Sequence, residues 1–231
     1  LNKGLPTEKQ VNVYPSDIPF IWTEADSFNI GDLKAMLAGR DSIIASQVIE
    51  GFNRICKSTE RRKKALVILN YRHAFNREFE MPGGHTLRNT AYYLFKQYNG
   101  KAANVFLNTV NYGRNDSMYL VQGGKWDAAF KKLNKESAGF NFTGSPFGKD
   151  SLDIWSLKNA FTYADVFTGF IFYQPVEKHL LVEGLPGLTD SLFKPELLRR
   201  IHLISLAGGE FKAKMAGFEK VVNSKDRKSV V

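Results

Sequence analysis

Residues 64–75 read KALVILNYRHAF, and the assignment of this stretch decides the fold. A short, β-rich apolar run, ALVILN at 65–70, breaks off into polar residues that include His73. Such a run reads as a buried parallel strand, and in open α/β sheets ligands and chemistry gather just past the carboxyl ends of strands. His73 is therefore the first candidate functional residue.

Upstream lies RDSIIASQVIEGFNRICK, residues 40–57, whose pattern is helical. Wound at about 100° per residue, Ile44, Ala45, Val48, Ile49, Phe52, Ile55 and Cys56 fill one arc, and Ser42, Ser46, Glu50, Asn53 and Lys57 fill the other. Asp41 falls inside the apolar arc and Arg40 at its edge. A carboxylate turned toward a core needs a partner. The free N–H groups and dipole of the first helical turn could satisfy it, and so could a functional site; both readings stand.

Downstream, MPGG at 81–84 has the chemistry of a tight turn. His85 or Thr86 then opens a helix, HTLRNTAYYLFKQYNG, that Gly100 ends as a C-cap, with Leu87, Ala91, Leu94, Phe95 and Tyr98 on its apolar face. An apolar strand over 104–110 completes a β-α-β unit, so the sheet is read as parallel with a right-handed crossover. Gly83, Gly84 and His85 could offer backbone N–H groups to an anionic ligand at that helix start. Neither a Walker A loop nor GxGxxG is present.

Nearer the amino terminus, 18–22 is a strand candidate running into TEADSFNIGDLKAML. Glu24 falls where strand gives way to loop, a position that suits a catalytic acid as well as a capping or salt-bridging one. Beyond 110 the chain is loop-rich. It carries a strand over 117–122, a short helix in GGKWDAAFKKLNK with Trp126, Phe130 and Leu133 inward, and a strand in GFNF. Turns follow around Gly144, Pro146 and Gly148, then a strong strand at 169–173. His179 reads as a surface residue, and an amphipathic helix over 195–207 includes Leu198, Ile201 and His202. The organisation is an entry segment at 1–17, an α/β domain over 18–207 that reads as the later part of a larger domain, and a basic tail at 208–231.

With 231 residues, 43% hydrophobic and 13% aromatic, the chain can bury a substantial core without a staple. Its net charge of +9 suits an anionic partner, but the charge is spread out. The densest cluster, RRKK at 61–64, reads as a solvated turn. Basic residues do not alternate with aromatics as a nucleic-acid motif requires, although Tyr92, Tyr93, Phe95, Tyr98 and Tyr112 could line a ligand site if they are not core. The single cysteine, Cys56, excludes an internal disulfide and a cysteine-based zinc site. No apolar run reaches about 18 residues, so no membrane span is expected. HExxH, GxSxG and CxxC are absent. The chain starts at Leu1 rather than Met and is read as a processed form or a fragment.

An RDxxxA helix start (Arg40, Asp41, Ala45), followed about thirty residues later by ALVILNYRHAF with His73, resembles the later half of a superfamily. That superfamily includes the erythromycin esterases, the haem-binding ChaN-like lipoproteins and the Tiki/TraB proteins. LRNTAYYLFKQYNGKAANVFLN is similar to the helix and strand that follow that histidine. DVFTGFIFYQP is similar to a later strand, with Thr168 where an aspartate is commoner. The resemblance covers roughly 19–175. It implies a three-layer α/β fold with a mainly parallel sheet flanked by helices, a bacterial cell-envelope or periplasmic setting, and a site at strand carboxyl ends. It further implies hydrolysis of an ester or peptide bond, or binding of haem, with one divalent metal ion or haem as cofactor and a small-molecule or peptide ligand. His73 would be metal ligand or general base, and Arg40 the anchor for substrate or intermediate. Asp41 or Glu24 would orient one of them. The family's first-half Gly-Glu-x-His segment is not in these residues. A non-catalytic binder of an anionic ligand, and a structural domain with a vestigial site, are the alternatives.

Overall fold

The computed structural model describes residues 4–18, 22, 30–59, 63–81, 83–112, 118–133, 137–153, 161–179, 191–206 and 209–223. Two units divide the chain, 1–18 with 41–178 and 19–40 with 179–231. Helices α1 (Ile30–Leu37) and α2 (Arg40–Lys57) come first, then the strands β1 (Glu78–Glu80) and β2 (Thr86–Arg88) and helix α3 (Thr90–Gln97). Strands β3 (Val105–Leu107), β4 (Val110–Tyr112) and β5 (Met118–Leu120) precede α4 (Lys125–Lys132) and β6 (Ala138–Asn141). The order closes with α5 (Tyr163–Val166), β7 (Gly169–Phe172), α6 (Lys194–Ser205) and α7 (Gly209–Asn223).

The larger unit is built on a three-stranded sheet of order β3-β7-β6. β3 runs parallel to β7 with Phe106 beside Phe170, and β6 runs antiparallel to β7 with Phe140 beside the same Phe170. The strand period of two sends Phe106, Phe170 and Phe172 to one face, where all three are buried. Helix α4 covers that face because its inward positions are rings. Trp126 lies 5.1 Å from Phe170, and Phe130 stacks on Phe172 at 4.5 Å. Each buried ring of this size stabilises the unit by about 1.5–3 kcal/mol. The opposite face carries Val105, Leu107 and Ile171, which remain 47%, 52% and 38% exposed.

A polar clasp fixes where β3 and β7 begin. The Asn104 amide donates to the carbonyls of Ala74 (2.6 Å) and Val166 (2.8 Å), while its Oδ1 accepts from the Thr168 N–H (2.9 Å) and hydroxyl (3.0 Å). Thr168, the departure from the resembled pattern, is thus a structural partner of Asn104. Glycines allow the strands and turns to close. A Cβ on Gly169 would sit 2.8 Å from the Phe140 carbonyl oxygen, and one on Gly148 would run into the Phe142 carbonyl.

The chain is α/β in class, but its sheets are small and mixed or antiparallel, with a single parallel pair among the described residues. Residues 65–70 correct the expectation of a central strand, since they join no ladder. Val67 and Leu69 are half-buried, whereas Leu66 and Ile68 are 88% and 87% exposed. Lys63 donates to the Ile55 and Ser58 carbonyls, capping the carboxyl end of α2, and β3 takes β7 as its parallel partner. The β-α-β unit over 65–110 therefore does not form.

Two further boundaries differ. The span 104–110 divides into β3 and β4, the latter pairing with β5 as an antiparallel hairpin. Residues 78–88 form the antiparallel hairpin β1–β2, so α3 begins at Thr90 rather than at His85 or Thr86. Phe79 at the middle of β1 is fully buried and anchors that hairpin in the core. Leu133, expected inward, is 62% exposed because α4 stops at Lys132.

In the smaller unit α6 packs against α7, which occupies residues read from sequence as tail. Glu196 accepts from Arg199 and Arg200 at 2.7 Å each, which lowers its carboxyl pKa to about 2. Arg199 also donates to the Trp22 carbonyl, and Arg200 lies over the Trp22 ring. The residues between 19 and 29, including most of the expected 18–22 strand and Glu24, lie outside the described residues apart from Trp22. Among the described residues no helix is long and apolar enough to cross a membrane.

Candidate functional site

Three segments converge on one carboxylate oxygen. Asp41 Oδ1 accepts from His73 Nδ1, from the backbone N–H of Thr90 and from the Thr90 hydroxyl, each at 2.7 Å. Asp41 stands in the first turn of α2, but the first turn of another helix, α3, supplies two of its donors. Helix periodicity turned Asp41 inward, and the inward carboxylate met partners from across the fold.

His73 belongs to a one-turn 3₁₀ helix, Tyr71–Ala74, whose start is closed by the His73 N–H donating to the Asn70 carbonyl at 2.9 Å. Fully buried Phe75 and the bond from Asn104 to the Ala74 carbonyl hold that turn in place. The same bond places the turn at the amino end of β3, not beyond the carboxyl end of a strand as the 64–75 stretch suggested. Farther along, Phe52 of α2 meets Tyr98 edge-on at 5.5 Å, which keeps α2 and α3 together behind the site.

The electrostatics follow from these contacts. Burial alone would raise the Asp41 pKa, but hydrogen bonds from His73 and Thr90 and the nearby imidazole outweigh it and hold the carboxyl below its ordinary 3.8. An ionised carboxylate only accepts, so the proton on the imidazole is fixed at Nδ1. Nε2 is then the acceptor nitrogen of the neutral ring. The side chains of His73 and Asp41 are 14% and 18% exposed, so the pair sits just beneath the surface.

The other sequence candidates divide. Arg40 opens α2 directly before Asp41. Gly83, Gly84 and His85 do not form an anion nest at a helix start. They are the exposed turn of the β1–β2 hairpin, with φ of +98° and +81° at the two glycines and the Met81 N–H donating to the His85 carbonyl at 2.9 Å. Their positive φ serves chain reversal. Nor do the described residues supply the donor set of a divalent ion. No three His, Cys, Asp or Glu side chains come together among them, and His73 has its Nδ1 held by Asp41. For haem the site around Asp41 supplies one imidazole, His73.

Sequence reading missed Thr90, Asn89 and Asn76. Asn89 caps α3 by position, with φ −90° and ψ 169°, but its side chain makes no cap bond. It is fully buried, and neither its Oδ1 nor its Nδ2 has a hydrogen-bond partner; Asn76 Oδ1 is likewise buried and unpartnered. The signal was present in RNTAYYLF, since Asn89 before an apolar run is as good an N-cap as Thr86.

At the opposite, carboxyl ends of β3 and β7, buried Asp127 accepts from the Val176 N–H (2.9 Å) and Asn108 Nδ2 (3.3 Å) and pairs with Lys131 at 3.0 Å. That cluster is a closed lock between strand ends. A scan of family models, a search of curated proteins and a search of solved structures each returned no match to this chain.

Proposed function

We propose that this chain is a hydrolase-like α/β domain of the erythromycin esterase/ChaN-like type, in which His73 acts as general base and Asp41 as the residue that orients it. The observation that carries this reading is the 2.7 Å contact between His73 Nδ1 and Asp41 Oδ1. A carboxylate on Nδ1 keeps Nε2 basic and stabilises the imidazolium once a proton has been taken, the arrangement general-base catalysis needs. Arg40, one residue before Asp41, is assigned to anchor the substrate carbonyl or the anion formed from it. The substrate is an ester or peptide carbonyl compound. The three-layer arrangement with a mainly parallel sheet and the cell-envelope setting come with the same reading. The parallel pair β3–β7, with Val105, Leu107 and Ile171 half exposed on one face, supports a further layer over that face.

The test is turnover of p-nitrophenyl esters and peptide p-nitroanilides by the wild-type chain, His73→Ala and Asp41→Asn. Wild-type turnover that falls by about 10²–10⁴-fold in His73→Ala supports the assignment. Turnover absent from the wild-type chain, or unchanged in His73→Ala, overturns it.

A further inference from the structure

The stretch 63–70 joins no ladder, yet it keeps the form of a strand. It runs without helix, turn or bend, and Asn70 at its end has the extended φ of −61° and ψ of 145°. Exposure alternates along it: Leu66 and Ile68 are 88% and 87% exposed, whereas Val67 and Leu69 are half-buried. That is the period of a pleated strand with one face on its own unit and the other in water.

Its edges are open and its ends are tied. Among the described residues the N–H and C=O groups of 64–69 make no hydrogen bond, so both rows of ladder groups are available to a further strand. At one end Lys63 Nζ donates to the carbonyls of Ile55 and Ser58 at 2.7 and 2.6 Å. At the other the His73 N–H donates to the Asn70 carbonyl, in a turn that Asn104 holds through the Ala74 carbonyl. A segment tied at both ends loses little freedom when a strand is added to it, so the ordering cost falls on the incoming chain.

The charges select the occupant. Lys63 and Lys64 precede the apolar positions, with Arg61 and Arg62 before them in sequence, and exposed Arg72 follows; no Asp or Glu lies between Lys63 and Arg72. Lys64 is exposed and has no ion pair among the described residues. A second copy paired antiparallel about Val67 would set Arg62 against Arg72, and a parallel copy in register would set every cation beside its twin. Nucleic acid would match the charge but leave the ladder groups and the two aliphatic side chains unmet. An extended peptide with alternating apolar residues and carboxylates at both ends meets all three features.

We propose that residues 64–70 are a docking strand for an extended, acid-flanked segment of a partner protein. That segment pairs with an open edge, packs its apolar side chains beside Leu66 and Ile68, and sets its carboxylates against Lys64 and Arg72. The proposal goes beyond the hydrolase reading and needs neither His73 nor turnover.

The experiment is hydrogen exchange on the whole chain with two synthetic peptides that share a Val-Thr-Val-Thr-Val centre, one flanked by glutamates and the other by lysines. Fluorescence anisotropy supplies the affinities. The glutamate peptide should slow exchange at the amides of 65–69 and bind at least about tenfold more tightly than the lysine peptide. The double variant Leu66→Ser/Ile68→Ser changes only exposed side chains, so it should keep its melting temperature and bind the glutamate peptide about tenfold more weakly. No slowing at these amides with millimolar glutamate peptide overturns the docking strand, and equal affinity for the two peptides overturns the acidic partner. Slowing that grows with protein concentration in the absence of peptide gives the edge to a second copy and refutes the proposal, as does stronger protection by a single-stranded oligothymidine. If the double variant does not fold, the exchange data on the wild-type chain decide alone.

Discussion

Replacing Asp41 by Asn keeps the size of the side chain and removes its charge, which isolates what the carboxylate contributes. Three donors meet at Oδ1 at 2.7 Å. Bonds to a charged acceptor contribute about 1.5–3 kcal/mol where neutral ones contribute about 1. Discounting for the 18% exposure of the side chain and for non-additivity, the expected loss is about 2 kcal/mol at pH 7, or about thirtyfold in the folded-to-unfolded ratio. The pH dependence gives the sharper test. The Asp41 pKa is lowered by folding, so its contribution is fully present above the unfolded value of 3.8 and is lost as pH falls through the folded one. Urea unfolding of both proteins, stepped down from pH 7, should therefore show a gap that closes as the pH falls below 3.8. Other carboxylates also titrate in acid, but they cancel in the difference. A gap under about 0.5 kcal/mol at pH 7, or one that persists undiminished in acid, refutes the argument that three donors stabilise an ionised Asp41.

Other perturbations test the fold that positions the site. Ile68→Lys should change stability by less than about 0.5 kcal/mol in urea melts, because Ile68 is 87% exposed; a loss above about 2 kcal/mol would restore the buried strand. Gly148→Ala should cost about 3 kcal/mol by the same measurement, since its Cβ has no room against the Phe142 carbonyl, and a neutral result would show that this turn can shift. Asn104→Ala should cost about 3 kcal/mol, as it orphans the Ala74 and Val166 carbonyls and takes the side-chain acceptor from the Thr168 hydroxyl. Hydrogen exchange should then rise at the starts of both β3 and β7; a rise at only one of them contradicts the clasp.

What could be read in the sequence was what is local. Helix α2 begins and ends at Arg40 and Lys57 as its period indicated, because eighteen residues give five turns over which a wrong phase would show. β7, β6 and the rings of α4 were likewise visible as short aromatic patterns between turn residues. The inward direction of Asp41 followed from the same helical phase, and His73 was singled out beside it. The rest depended on pairing choices that lie far apart in the chain. Nothing within ALVILN says that β3 will take β7, 64 residues on, as its neighbour. A short apolar run is the same string whether it is enclosed or outward-facing. The hairpin at 78–88 and the start of α3 were missed because Thr86 and Asn89 compete as caps, and only the fit of Phe79 into the core decides between them.

The position of residues 64–70 also bears on how the protein behaves in concentrated solution. A stretch with high β-propensity, outside any ladder and with Leu66 and Ile68 turned to solvent, is a template on which identical segments of other molecules can stack. The cations that bracket it in sequence, RRKK before and Arg72 after, act as gatekeepers through mutual repulsion. Such repulsion reaches about 10 Å at 0.1 M ionic strength and only about 3 Å at 1 M. Colloidal stability should thus fall as salt rises, so high-salt buffers would promote the association they are usually chosen to prevent.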